Sequence, residues 1–159
     1  MKAIVLQRSL DSNIQLLDLP IPVCQSNEVL IRIKAAALNH RDEWCRKGLY
    51  PNIQDGIVLG SDGAGIVEEV GAAVDSKLIG QEVMLNPALH WGENEKAQGK
   101  NFEIIGMPRN GTFAEYVAVP ADRVFPKPSH LRWEEAAALP FILSKTLSER
   151  KEKKLTKER

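Results

Sequence analysis

The hydrophobic positions of this chain fall in short runs broken by polar turns. Residues 3–6 and 14–17 are two such runs, separated by Ser9-Leu10-Asp11-Ser12-Asn13, and they predict a strand pair. Pro20 and Pro22 then keep the chain extended and out of any central ladder. Residues 28–35 alternate, with Val29, Ile31 and Ile33 against Arg32 and Lys34, which predicts a half-buried strand; Leu30 breaks the alternation. Residues 39–47 predict a short helix. Asn39 can cap it, Asp42 and Glu43 stand in its first turn, and Gly48 stops it. Strands are predicted over 64–70, 82–85, 112–119 and 123–125, and a second helix over 133–139, ended by Pro140. Residues 86–110 are polar and without period, so they read as a long surface loop. About eight short strands with turn signals between them argue for a mainly β barrel or sandwich.

At 159 residues the chain is long enough for one well-cored domain and short for two. Lys+Arg and Asp+Glu balance at 21 each, so composition favours neither a nucleic acid nor an anionic membrane as partner. Residues 145–159 nevertheless hold seven basic and three acidic residues, and Leu147 and Leu155 are the only apolar residues of the tail from Ser144. The segment 141–159 is expected to be a charged tail, helical or disordered. Cys24 and Cys45 cannot build a disulfide framework, and no run suits a signal peptide or a membrane span. A cytoplasmic protein is the expectation.

Gly60-Ser-Asp-Gly-Ala-Gly65 puts three glycines within six residues, just before a Val/Ile-rich strand. Such a run allows positive φ and close approach of backbone to a neighbour or ligand. Its order is not G-x-G-x-x-G, and it precedes a strand rather than opening a helix. Two readings stand, a tight turn at a barrel rim and a direct phosphate contact.

Three segments taken together carry a resemblance. They are Leu38-Asn-His-Arg-Asp-Glu-Trp-Cys-Arg-Lys-Gly, Leu59-Gly-Ser-Asp-Gly-Ala-Gly-Ile-Val-Glu-Glu-Val-Gly, and Gly111-Thr-Phe-Ala-Glu-Tyr-Val followed by Phe125-Pro-Lys-Pro and Glu134-Glu-Ala-Ala-Ala-Leu-Pro. In this order they resemble the N-terminal GroES-like domain of the medium-chain dehydrogenase/reductase superfamily, nearest its quinone-oxidoreductase-like branch. The resemblance spans residues 1–140 and implies a distorted GroES-like β-barrel with short helices. It implies hydride transfer between NADP or NAD and a small-molecule carbonyl, quinone or enone.

Zinc-dependent members resemble this chain at Asn39, Ser61 and Asp62, but carry Cys, His and Glu there. A carboxamide and a hydroxyl replace a thiolate and an imidazole, so the resemblance implies no zinc. The loop 86–110, where some members bind a structural zinc through four cysteines, holds none. His90 and Glu93 form a local His/Glu pair, but no metal site is assigned to them.

By the resemblance Asn39 and Asp42 are catalytic, and His40 faces the cofactor phosphates. Tyr50, Ser61 and Asp62 line the substrate pocket. Read from the residues alone, 39–42 can equally be an exposed helix start, with Asp42 answering the helix dipole. Tyr50 can equally be packing. The resemblance ends at about Phe141, where relatives run on into a nucleotide domain. The expectation is an N-terminal domain fragment that alone binds no cofactor tightly, with a non-catalytic interaction barrel as the alternative. An apolar face left uncovered, formed by Val117, Val119, Val124, Phe125 and residues 136–139, is expected to drive homo-oligomerisation.

Overall fold

The computed structural model describes residues 1–9, 11–94 and 97–140. The expected tail over 141–159 lies outside the described residues. The architecture is mainly β, as expected for a GroES-like domain, with two short α-helices.

Strands β1 (Lys2–Leu6) and β2 (Ile14–Asp18) form an antiparallel hairpin with Lys2 opposite Asp18 and Leu6 opposite Ile14. The centre is a five-stranded antiparallel sheet in the order β10-β5-β4-β3-β9, made from β3 (Glu28–Ala37), β4 (Asp62–Val70), β5 (Glu82–Leu85), β9 (Tyr116–Pro120) and β10 (Val124–Pro126). The hairpin is tied to it through the bridges Ala3 to Ala114 and Val5 to Val58.

One face of the sheet supplies the main core, with Val29, Ile31, Val67, Val83, Val117 and Val119 buried together. The other face is covered by helix α2 (Trp133–Ala138), whose Ala136 and Ala137 pack on Ala64. The register of β3 against β4 shifts between Leu30 and Ile31, which accounts for the broken alternation at Leu30. A bulge lets Val29, Leu30 and Ile31 be buried in succession. Both faces are covered, so no strict in-out pattern is required there.

Residues 86–110 are the main departure from the sequence reading. They contain β6 (Ala88–Leu89), β7 (Glu103–Ile105) and β8 (Pro108–Arg109), which form a small sheet of their own. Leu89 and Ile105 belong to the main core, and Met107 packs with Leu6, Cys45 and Leu59. The strands are only two or three residues long, too short for a period to show. Residues 112–115 likewise turn rather than extend the strand expected over 112–119.

The apolar face expected near the end of the resemblance is also corrected. Val117 and Val119 are 2% and 1% exposed because they pack into the main core with Leu89 and Ile105, and Ala136 and Ala137 are fully buried against Ala64 on the other face. Phe125 alone of the named large residues stands out at 46%. Leu38, Trp44 and Leu49, around the first helix, are exposed instead.

Candidate functional site

The start of helix α1 (His40–Arg46) meets the glycine run that enters β4 through Asn39–Asp62 and Arg41–Ser61, with Arg41 also reaching Ile105 of β7. The helix starts where the sequence predicts. Asn39 is its extended N-cap, and the Asp42 carboxylate accepts the Asn39 backbone N–H at 2.8 Å, an anion at a helix start where orphan donors need one. Glu43 is tied to Arg46 at 2.6 Å and to Lys47 at 3.2 Å, and these cations hold its carboxyl down at about 2.

Gly60 adopts φ +93°, and its carbonyl lies against two other glycines. A Cβ on Gly106 would stand 2.5 Å from Gly60 O, and one on Gly111 only 2.0 Å away. The close approach expected of the glycine run is therefore made to protein backbone. It brings Ser61 and Asp62 under the 105–111 segment.

The side chains expected to form a site are brought together in part. Asn39 Nδ2 donates to Asp62 Oδ2 at 3.1 Å, which fixes which end of the carboxamide faces the carboxylate. Thr112 Oγ1 donates to the Asp62 carbonyl at 2.8 Å. Ser61 and Asp62 are almost fully buried and are not among the residues that line the cleft beside Tyr50. That cleft, of about 720 Å³, is lined by Tyr50 with Asn52, His90, Lys100, Phe102 and Met107. His40 is exposed, with its ring 4.9 Å from that of Trp44. Asp42 is buried, and burial pushes its carboxyl up against the opposing pull of the Asn39 amide and the Arg41 charge. Cys45 is fully buried, which raises its thiol and leaves it no nucleophile.

Arg41 is the residue that sequence reasoning missed. Its side chain is 5% exposed, and Nη1 donates to Ser61 Oγ at 2.6 Å and to Ile105 O at 3.1 Å. Nη2 reaches Met107 O at 3.3 Å, and the guanidinium lies 4.6 Å from the centre of the Tyr50 ring. One signal was available in the sequence: a cation in the first turn opposes the helix dipole, so something outside the helix had to hold it. Among the described residues, no group of three or more His, Cys, Asp or Glu could hold a metal ion.

Comparison with known proteins identifies the family of the domain. Residues 25–129 match the family described as the alcohol dehydrogenase GroES-like domain. A zinc-type alcohol dehydrogenase-like protein of Schizosaccharomyces pombe is 40% identical over 114 residues, which is 71% of this chain and 33% of that protein. The crystal structure of an NAD-dependent alcohol dehydrogenase superposes with a TM-score of 0.80 at 42% identity, over 88% of this chain and 43% of that one. The quinone oxidoreductase from Coxiella burnetii gives 0.70 at 31% identity, over 88% and 41%. The chain thus spans about a third of the length of the first curated relative.

Proposed function

The chain belongs to the alcohol dehydrogenase GroES-like domain family, and from there we propose that it is the substrate-side barrel of an NAD(P)H-dependent oxidoreductase that reduces a carbonyl, quinone or conjugated enone without zinc. The observation that carries this reading is the Asn39–Asp62 contact beside the Arg41–Ser61 contact. Zinc needs electron pairs offered by its ligands. Here Asn39 presents an N–H donor already turned on Asp62, and the Ser61 oxygen already receives a guanidinium proton. The donor set does not fit the ion.

A nicotinamide cofactor, held largely by parts of the enzyme outside this chain, supplies the hydride. What falls to this chain is to hold the acceptor and stabilise the charge growing on its oxygen. Asn39 Nδ2 has two protons, and Asp62 takes one. The second is free to donate to a substrate oxygen, from a carboxamide oriented before substrate arrives. Preorganised donors of this kind do the work of an oxyanion hole. Asp42 fixes the Asn39 backbone and so acts as a positioning residue. His40 is assigned to the cofactor phosphates, a role that its exposure at the helix start supports. Tyr50 forms one wall of the cleft assigned to the acceptor, while buried Asp62 holds Asn39 and buried Ser61 holds Arg41.

The test is a titration of the isotope-labelled chain with cyclohexanone as carbonyl probe, following the Asn39 side-chain amide. A saturable shift of that amide, lost in Asn39→Ala, is expected. Probe binding that leaves Asn39 unmoved would sink the assignment. Elemental analysis of the dialysed protein should find no stoichiometric zinc, and one zinc per chain would overturn the metal-free reading. The chain alone should not bind NADPH at micromolar strength.

A further inference from the structure

Arg41 is a buried charge for which the proposed reaction has no use. Its guanidinium gathers oxygen acceptors from separate parts of the chain. Ser61 Oγ comes from the glycine run, and the Ile105 and Met107 carbonyls come from the small sheet and the turn after it. The Tyr50 ring closes one side. Asp42 Oδ1 lies 4.0 Å away. Carbonyl, hydroxyl and carboxylate oxygens converging on one point are what a hard cation site offers. Here the cation is a side chain.

We propose that Arg41 is the resident cation of this site, fixed where the α1 turn, Ser61 and the 105–107 carbonyls converge, and that it makes the site selective against a divalent metal ion. This rests on the zinc-free reading above and deepens it. Poor ligands at Asn39 and Ser61 weaken a metal site, but the carboxylates of Asp42 and Asp62 remain beside it. Arg41 supplies the compensating charge and takes the oxygens that a metal would need. A second cation would have to sit against a buried positive charge, where repulsion is far stronger than in water. Asp42 Oδ1 makes no hydrogen bond, so the Arg41 guanidinium 4.0 Å away is the positive charge that answers it. The selectivity is thus assigned to one side chain rather than to the ligand set alone.

The test restores the ligands and varies the cation. Asn39→Cys with Ser61→His is prepared with Arg41 intact and with Arg41→Ala, and each protein is titrated with Co²⁺. Binding is read from the thiolate-to-cobalt absorption band. The pair with Arg41 intact should bind roughly 100-fold more weakly than the triple variant, since the displaced repulsion exceeds that factor at short range. Equal affinity overturns the proposal, as does a folded triple variant that binds no cobalt. The unaltered chain gives a second measurement that requires no variant to fold. Its Arg41 Nε–H resonance should be visible, slow to exchange and unbroadened by Co²⁺. Selective broadening of that signal would place a metal beside the guanidinium and overturn the proposal. Stoichiometric zinc in the unaltered chain is a different outcome, since it fails the zinc-free reading itself.

Discussion

Gly111→Ala tests whether the packing around Gly60 is what holds the site in place. Gly111 is not in the left-handed region, so alanine is allowed there by its backbone angles, and any cost is steric. The new methyl would stand 2.0 Å from Gly60 O, 2.6 Å from Leu59 O and 2.7 Å from Gly106 Cα. All three are backbone atoms, with no side-chain tip to swing away. Relief requires the two segments to part by over an ångström. That strains three hydrogen bonds between them: Gly111 N to Val58 O at 2.8 Å, Thr112 N to Gly60 O at 3.0 Å and Phe113 N to Leu59 O at 2.9 Å. Overpacking costs about 1–3 kcal/mol, and each weakened bond adds up to about 1 kcal/mol. A loss of about 3–4 kcal/mol follows, or a fall in Tm of about 10 °C for a domain this size. The comparison is Gly80→Ala. Gly80 has φ +81° and nothing within 4 Å of a new Cβ, so only the left-handed backbone penalty of about 1–2 kcal/mol applies. Urea unfolding followed by tryptophan fluorescence measures both. If Gly111→Ala loses less stability than Gly80→Ala, the packing argument is wrong.

Three further outcomes are expected. Ile105→Ala should cost about 2–5 kcal/mol, because Ile105 lies in the main core; a loss under about 0.5 kcal/mol in a chemical melt would return residues 86–110 to a surface loop. Glu43 has a carboxyl lowered from 4.5 to about 2 by Arg46 and Lys47, so its stabilising effect is complete above pH 4.5 and is lost as pH falls through about 2. The stability gap between the unaltered chain and Glu43→Gln should therefore narrow as the pH is lowered from 5, and a gap independent of pH would contradict the ion pairs. Self-association at micromolar concentration, if driven by apolar surface, should pass through Leu38, Trp44 and Leu49. Light scattering should then show Leu38→Ser with Leu49→Ser shifted towards monomer, and an unchanged profile would place the contact elsewhere.

Much of the framework was legible because local rules decide it. The β1–β2 pair follows from two apolar runs about a polar turn, and α1 follows from Asn39 and Asp42 at its start and Gly48 at its end. Family membership followed from the spacing of the three motifs, and residues 25–129 bear it out. The segment 86–110 was not legible, because strands of two or three residues leave no period to read. Nor was the burial of Val117 and Val119, which depends on Leu89 and Ile105 reaching the main core, or that of Ala136 and Ala137, which depends on α2 packing over Ala64 on the other face.

At the site the division is sharper. By itself the sequence determined that Asn39 and Ser61 are poor ligands for zinc, since ligand chemistry belongs to the residue type. It also determined that Gly60, Gly63 and Gly65 would permit close backbone approach where the chain enters β4. Which backbone approaches was decided only by the tertiary structure, which sets Gly60 against Gly106 and Gly111. The same holds for Arg41. Its partners at Ser61, Ile105 and Met107 lie 20, 64 and 66 residues away. A long side chain on a helix start reads as solvated until folding encloses it. Burial is a property of the chain segments that close over a residue, and no local pattern at Arg41 records which segments those are.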